Sequence, residues 1–331
     1  MAEAVPMVEL WRGGMLESSH LGHAVICNAQ GGIVESWGDP EAVIFPRSSC
    51  KMLQALPLLE SGAAAAHGLS DAQLALACAS HQGAAVHTGM VARWLADLGL
   101  GEGDLRCGAH EPNDRAERDR LIKTDESPCQ YHNNCSGKHS GFLTLNKHLG
   151  GHADYVELDH PVQRAVKAAF EEVTGEASRG HGIDGCSAPN FATTVHGLAR
   201  AMAFFASAGE GGDTRQRAAH RLTRAMAAFP ELVAGEGRAC TELMRAMGGR
   251  VAIKTGAEAV FVAIVPEKRL GIALKIVDGA TRASEAAIAA LLVRLGVLEA
   301  EHPATRKRLN VVQRNWRGFE VGVVQLAPGF A

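Results

Sequence analysis

Strand-like patterns lie at both ends of this 331-residue chain, and a long helical pattern separates them. Near the N-terminus, HLGHAVICN and GIVESWG flank the turn residues AQG, which predicts a β-hairpin. After residue 248, GRVAIKTGAEAVFVAIVPEKRLGIALKIVDG predicts three short strands with turns near Gly256 and Lys268. Antiparallel strands from the two ends can form one sheet that carries the helical middle. The pattern therefore predicts an α/β (α+β) fold with an antiparallel sheet built from both chain ends.

The middle of the chain has mostly helical periodicity. Ser70 and Gln73 form a capping box before one such segment, and Pro57 should kink or end another. The polar, turn-rich stretch at 108–141 is typical of a functional or disordered loop. We therefore expect one domain, 1–331, with terminal strands in 7–40 and 250–280 and a helical region at 46–247.

Composition excludes several classes of function. The formal net charge is −3 and no long basic run occurs, which argues against nucleic acid or an anionic membrane as partner. The start of the chain does not match a signal peptide, and no apolar run reaches the ~18 residues of a spanning helix. We expect a cytoplasmic protein whose eight cysteines are reduced.

The segment FPRSSCK pairs a serine with a lysine three positions later, Ser48 and Lys51. Residues three apart share a face of a helix, and Pro46 favours a helix start just before them. A serine there lies near free backbone N–H groups, and an uncharged lysine one turn on can accept its proton. The alternative, which this motif alone favours, is a capping serine and a surface lysine, because S-x-x-K is common by chance.

A second element, Lys254-Thr255-Gly256, lies on a predicted strand near the C-terminus. It can present a cation and the Thr255 hydroxyl to the carboxylate or oxyanion of an acyl substrate. S-x-x-K on an early helix with K-T-G on a late strand is typical of serine β-lactamases and penicillin-binding proteins. Their usual middle motif is weaker here, where Tyr131-His132-Asn133 matches only a Y-x-N variant, which makes Asn133 a candidate for substrate binding.

Three further motifs have both a functional and a structural interpretation. Ser80 in ACASHQG is either a second catalytic hydroxyl or the end of a helix. HNNCSGKHSG and HGIDGCSAPN contain candidate metal-binding or pocket residues, namely Cys135, Lys138, His139, Asp184 and Cys186. Cys-x-x-Lys is not a common metal spacing, so spacing alone favours small buried cysteines.

Five motifs in the same order make the chain resemble the Rhizobium etli-type L-asparaginases. They are FPRSSCKMLQALPLLESGA, LACASHQG, HNNCSGKHSG, GIDGCSAPNFA and IKTGAEAVF, and the resemblance extends from about residue 8 to about residue 325. It implies a fold similar to serine β-lactamases and penicillin-binding proteins, and a cytoplasmic homodimer. The residues between the motifs differ, so the resemblance does not carry substrate preference with it.

The resemblance also implies roles for individual residues. Ser48 with Lys51, and Ser80 with Lys254, correspond to two Ser-Lys tandems. Three residues correspond to ligands of a zinc ion that aids substrate binding and does not generate the nucleophile: Cys135, Lys138 and Cys186. Three more correspond to positions that line the pocket: Arg47, His139 and Asp184.

We therefore expect hydrolysis of L-asparagine to L-aspartate and ammonia, with Ser48 as nucleophile and Lys51 as base. The alternatives are a glutaminase, another acyl-serine amidohydrolase of the β-lactamase or D,D-peptidase type, and a non-catalytic protein that binds zinc or an amino acid. Only the non-catalytic alternative needs neither Ser48 nor Lys51.

Overall fold

The computed structural model describes residues 3–331, so residues 1 and 2 of the predicted single domain lie outside it. The described chain divides into two compact units. The first, the sheet unit, combines the chain up to Ser49 with Thr193–Ser207 and Glu242–Ala331. The second, the helical unit, combines Cys50–Ala192 with Ala208–Thr241. The single domain stays a prediction.

The strands lie mainly in the sheet unit. In chain order they are β1 (Val5–Arg12), β2 (Met15–Cys27), β3 (Ile33–Trp37), β4 (Val43–Ile44), β5 (His181–Ile183), β6 (Pro189–Phe191), β7 (Thr193–Thr194), β8 (Ala252–Gly256), β9 (Val260–Val265), β10 (Leu270–Ile276), β11 (Val311–Arg314) and β12 (Glu320–Leu326). The main sheet is antiparallel and follows the order β11-β12-β1-β2-β10-β9-β8, with β3 also paired to β2. The prediction of one sheet from both chain ends is therefore confirmed.

The predicted hairpin at the N-terminus is present as β2 and β3, and the three late strands are present as β8, β9 and β10. The sheet extends beyond the predicted ranges, because β11 and β12 add a C-terminal hairpin next to β1. Most residues of β11 and β12 are at least partly exposed, so their sequence lacks the strong alternation that marks a half-buried strand.

The helices are α1 (Lys51–Gln54), α2 (Leu56–Glu60), α3 (Ala63–Ala66), α4 (Asp71–Ala77), α5 (Ala85–Asp97), α6 (Arg115–Thr124), α7 (Ser136–Leu149), α8 (Pro161–Thr174), α9 (Val195–Ser207), α10 (Thr214–Ala228), α11 (Pro230–Val233), α12 (Ala239–Ala246), α13 (Thr281–Arg294) and α14 (Pro303–Arg306). Ser70 and Gln73 form the predicted capping box of α4. The predicted interruption of this helix by Pro57 is also present, since α1 ends at Gln54 and Pro57 is the second residue of the next helix, α2. Within residues 3–331, none of these helices has the length and apolar character needed to cross a bilayer.

The late K-T-G motif lies on β8, an edge strand of the main sheet that pairs with β9. Every residue of β9 is buried, because α13 packs against β9 and β10 while α9 packs against β10 and β2. Gly271 allows this close approach, since a Cβ there would lie 2.0 Å from the backbone nitrogen of Ala203 in α9. Lys254 in β8 pairs with Val262 in β9, so the fully buried strand β9 supports the K-T-G motif.

Two expectations about the middle of the chain were wrong. The polar stretch at 108–141 is not one long loop, because it contains α6 and the first residues of α7. Asp114 caps α6 by accepting a hydrogen bond from the Glu117 backbone N–H, and Arg120 pairs with Glu117 and Glu126. These polar contacts stabilise a mostly exposed helix that has no apolar stripe. The region at 46–247 is also not entirely helical, since β5, β6 and β7 lie within it.

Candidate active site

The Ser48 motif forms a tight turn in the sheet unit. Arg47–Cys50 is a 3₁₀-helix instead of the expected α-helical turn. Ser49 is fully buried and donates its backbone N–H and its hydroxyl to the Pro46 carbonyl, the hydroxyl at 2.7 Å. Arg47 has φ of +54°, in the left-handed region that non-glycine residues rarely occupy, and Ser48 remains half-buried. Such local strain often accompanies functional sites.

The K-T-G motif contacts this turn directly. Lys254 has no exposed surface, and its Nζ atom donates a 2.9 Å hydrogen bond to the Thr255 carbonyl. A Cβ at Gly256 would lie 2.6 Å from the Pro46 carbonyl oxygen and 3.0 Å from the Ser49 nitrogen. Only glycine permits that approach. The structure therefore brings together, within the sheet unit, two motifs that lie two hundred residues apart in sequence.

In the helical unit, Lys51 is the centre of a buried hydrogen-bond network. Only 1% of Lys51 is exposed, and its Nζ atom donates to the Ala79 carbonyl at 2.5 Å, to Ser80 Oγ at 3.1 Å and to Cys135 Sγ at 3.0 Å. Ser80 is itself anchored by its backbone N–H, which donates to the Val233 carbonyl. Lys51 and Ser80 belong to different predicted tandems, and the pairing within each tandem stays a prediction.

The two motif cysteines lie together beside Lys138. Both thiols are nearly inaccessible to solvent, and Lys138 Nζ lies 3.1 Å from Cys186 Sγ. The hydrogen bond between the thiols raises the pKa of Cys135 and lowers that of Cys186 well below its usual value, and the charge of Lys138 also favours the Cys186 thiolate. Burial opposes a charge on Lys138, but the adjacent sulfur atoms raise its pKa.

A short hairpin positions Cys186. The strands β5 and β6 pair with each other, and the loop between them contains Asp184 and Cys186. Asp184 stabilises that loop through a 3.1 Å bond from the Gly185 N–H and a 3.3 Å bond from the Asn190 amide. The half-buried carboxylate of Asp184 therefore lies two residues from Cys186, whose thiol contacts Lys138 of α7.

His139 and Asn133 flank the thiols. The Nδ1 atom of His139 lies 2.8 Å from the hydroxyl of Tyr155, and burial lowers the pKa of His139. Asn133 donates its amide to the carbonyls of Cys107 and Gly108 and accepts the Cys135 backbone N–H at 2.8 Å. These contacts hold Asn133 in the segment just before α7. Its predicted role in substrate binding stays a prediction.

Three contributors to this site could not be recognised from motifs. Ser49 lies beside the Ser48–Lys51 pair but two residues from Lys51, so it does not share a helical face with Lys51, yet its hydroxyl closes the turn. Tyr155 lies in a stretch without a motif, so no local signal marks it. The Ala79 carbonyl is a backbone acceptor, which a side-chain pattern cannot reveal. Cys50 is fully buried in the same turn, and burial raises the pKa of its thiol to about 12.

The chemistry of the cysteine and lysine cluster is compatible with a metal ion. No group of three or more His, Cys, Asp or Glu side chains in residues 3–331 is arranged to hold a metal. The predicted set has only two such ligands, Cys135 and Cys186, and its third is the amine of Lys138. Thiolates and nitrogen donors are ligands that Zn²⁺ accepts, so the residues fit this ion.

Comparison with known proteins identifies the family. Residues 8–326 match L-asparaginase II. The chain belongs to the L-asparaginase II family. The protein is accordingly an amidohydrolase, and the one buried Ser-Lys contact described above, between Lys51 and Ser80, is compatible with an acyl-serine mechanism.

Other comparisons add little to the family assignment. No curated protein matches the chain. A solved structure of Mglu in its Tris and glutamate form is 12% identical, with a TM-score of 0.48, covering 95% of this chain and 67% of that chain. A β-lactamase from Mycobacterium bovis is also 12% identical, with a TM-score of 0.44, covering 84% of this chain and 95% of that chain.

Proposed function

We propose that this member of the L-asparaginase II family hydrolyses the side-chain amide of L-asparagine to L-aspartate and ammonia. Family membership supports amide hydrolysis, and one observation supports a serine mechanism above the others. Lys51 is almost completely buried, and its Nζ atom is 3.1 Å from Ser80 Oγ. A buried amine that contacts one serine hydroxyl can pass protons to and from serine oxygens without histidine, which Ser48, three residues before Lys51, requires in order to act as the nucleophile.

In the proposed reaction, Ser48 Oγ attacks the amide carbon of asparagine while uncharged Lys51 accepts the hydroxyl proton. The C–N bond then breaks, the proton passes to the departing nitrogen, and ammonia leaves. Water attacks the resulting ester and gives one proton back to Ser48, which releases aspartate. A backbone N–H of the Arg47–Cys50 turn other than that of Ser49, which is donated to the Pro46 carbonyl, stabilises the oxyanion in both steps.

Ser80 and Lys254 have supporting roles in this proposal. Ser80 relays the proton between Lys51 and the leaving nitrogen, since its hydroxyl can donate and accept at once. Lys254 and the Thr255 hydroxyl provide positive potential for the negative charge that develops at the reacting oxygen. Arg47 pairs with the substrate α-carboxylate and Asp184 with its α-ammonium group, which are the charges that distinguish an amino acid from a simple amide.

Cys135, Lys138 and Cys186 would hold the zinc ion. When bound, zinc would act as a Lewis acid toward a substrate oxygen and so support binding. His139 lies next to this cluster and adds a polar group to the same region.

We also propose a cytoplasmic homodimer, on the sequence resemblance alone. Light scattering of the purified protein would measure its mass.

The direct test is ammonia release from a panel of amides by the wild type and by Ser48→Ala and Lys51→Met. We expect the wild type to prefer asparagine to glutamine, and both variants to lose at least about a thousandfold in kcat. Near-normal activity of either variant would exclude the assigned nucleophile or base. Glutamine as the better substrate would make the protein a glutaminase, and covalent capture of a penicillin would indicate the β-lactamase type.

A further inference from the structure

Cys129 differs from the other cysteines of the chain in its exposure and in its neighbour. It is partly accessible to solvent, whereas the other seven cysteines of residues 3–331 are buried. Its Sγ atom lies 3.3 Å from Nδ1 of His132, and its backbone N–H donates a 3.0 Å hydrogen bond to the same nitrogen. Cys129 directly precedes the 3₁₀ turn Gln130–His132 of the helical unit. A thiol that solvent reaches therefore lies directly against an imidazole.

The neighbours of His132 decide which of its nitrogens carries the proton. A backbone N–H can only donate, so Nδ1 is the unprotonated nitrogen that accepts from Cys129. On the other side of the ring, Nε2 lies 3.2 Å from Oε1 of Glu117, and a carboxylate can only accept. The ring proton therefore lies on Nε2. The lone pair of Nδ1 faces Cys129, whose backbone N–H and thiol share it.

Glu117 holds this imidazole in place. Only 7% of Glu117 and 6% of His132 are exposed, and Oε1 of Glu117 also accepts hydrogen bonds from Nε and Nη2 of Arg120, at 3.0 and 2.8 Å. Those hydrogen bonds lower the pKa of Glu117, so its carboxylate is ionised at neutral pH. A carboxylate beside one ring nitrogen stabilises the imidazolium that forms when the other nitrogen takes up a proton.

The thiol, the imidazole and the carboxylate follow one another as a nucleophile, its base and the group that orients the base. We propose that Cys129 is a modification site that exchanges with small disulfides, with His132 as its base and Glu117 as a positioning residue. The other cysteines are buried, so the disulfide comes from solution. The proposal is independent of the proposed function, since it needs neither Ser48 nor an amide substrate.

In the proposed step, Sγ of Cys129 attacks one sulfur of the disulfide while Nδ1 of His132 takes the thiol proton. A new S–S bond forms to that sulfur, and the original S–S bond breaks. The departing thiolate then takes the proton from His132 and leaves as a thiol. The products are a mixed disulfide on Cys129 and one small thiol, so the disulfide is the only co-reactant.

The first test does not depend on enzymatic activity. The native wild type is treated briefly with 2-hydroxyethyl disulfide, a neutral small disulfide, and mass spectrometry of its peptides locates the adducts. We expect one adduct, on Cys129, which dithiothreitol removes and which Cys129→Ser lacks. Adducts on the buried cysteines in place of Cys129, or no adduct at all, would overturn the proposal.

The second test separates the role of His132 as a base from its role in the turn. In His132→Asn, the side-chain oxygen can still accept the Cys129 backbone N–H, but it cannot take up the thiol proton. The adduct on Cys129 should therefore form at least about tenfold more slowly, with an unchanged circular dichroism spectrum. An unchanged rate would show that exposure alone makes Cys129 reactive, and would overturn the proposal.

The third test compares Glu117→Gln with a matched control, Glu126→Gln. Both glutamates pair with Arg120, and it is Glu117 that contacts His132. The rate of adduct formation should fall about threefold or more in Glu117→Gln, because the imidazolium loses its carboxylate, and should stay at the wild-type value in Glu126→Gln. A purely structural role would instead loosen the turn and speed the reaction. Equal or faster reaction in Glu117→Gln would overturn the role assigned to Glu117.

Discussion

Lys51 Nζ donates a 3.1 Å hydrogen bond to Ser80 Oγ, although the two residues are 29 positions apart. The same amine donates to the Ala79 carbonyl and to Cys135 Sγ. It therefore connects the ASHQG motif with the HNNCSGKHSG motif, which leads into α7. A lysine in this position can exchange a proton with Ser80 without a histidine. We therefore expect the two Ser-Lys tandems to act as one network.

The first prediction concerns this contact. Ser80→Ala should lower kcat about a hundredfold or more, because it removes the hydroxyl that relays the proton, while Ser80→Thr should retain much of the activity. Lys51→Arg keeps a donor but cannot act as a base, so it should be as inactive as Lys51→Met. Steady-state ammonia release measures both effects. Ser70→Ala is the control: it should cost about 1 kcal/mol of stability as a lost cap and leave kcat unchanged.

The second prediction concerns the contact of β8 with the Ser48 turn. A methyl group at Gly256 would lie 2.6 Å from the Pro46 carbonyl, so Gly256→Ala must displace the turn. A displacement of about 1 Å should lower kcat/KM about a hundredfold, with circular dichroism showing a folded protein. Gly103→Ala, where a Cβ meets nothing within 4 Å, should remain fully active. Normal activity of Gly256→Ala would mean that the position of this turn is not critical.

The third prediction compares two glycines of α7. Gly141 has space for a methyl group, with the nearest atoms of Ala77 and Leu58 at 3.4 Å, and it borders a small cavity. Gly141→Ala should stabilise the protein by about 0.5–1 kcal/mol, because alanine loses less backbone entropy in a helix. Gly137→Ala should instead destabilise it, since the new Cβ would lie 2.3 Å from the Leu76 carbonyl. Urea unfolding measures both, and equal effects would contradict the packing argument.

The fourth prediction concerns pH. Hydrogen bonds from Arg120 hold the pKa of Glu117 below its usual value. A lowered pKa contributes stability above the unfolded value of 4.5, and that contribution disappears as pH falls through the lower folded value. Glu117→Gln should cost about 1–2 kcal/mol at neutral pH, and its difference from the wild type should shrink as the pH falls below that unfolded value. Urea unfolding at several pH values measures this difference, and Glu126→Gln, the exposed partner of the same arginine, should show a smaller one.

The fifth prediction concerns zinc. Cys135→Ala and Cys186→Ala should each reduce the zinc content measured by elemental analysis of purified protein, because each removes one of three proposed ligands. Cys240→Ala changes another buried cysteine of the helical unit and should retain zinc. Equal zinc content in all three variants would place any metal elsewhere.

Local pattern was sufficient for much of this structure. The β2–β3 hairpin, the strands β8 to β10, the α4 capping box and the break at Pro57 follow from periodicity and turn chemistry, which act over a few residues. The same local rules were wrong for α6, because that helix is stabilised by a cap and by ion pairs and has no apolar stripe. They also missed β11 and β12, whose residues are mostly exposed.

The sequence by itself determined the mixed α/β architecture, the order of the motifs and their similarity to a family of asparaginases, because these depend on residue type and spacing. Only the tertiary structure decided which groups meet. Lys51 bonds to Ser80, Tyr155 to His139 and Lys138 to Cys186, and Gly256 abuts the Pro46 carbonyl. Such contacts join residues that are distant in the chain, and they form only when the packing of the whole unit compensates for the entropy of closing the intervening loops.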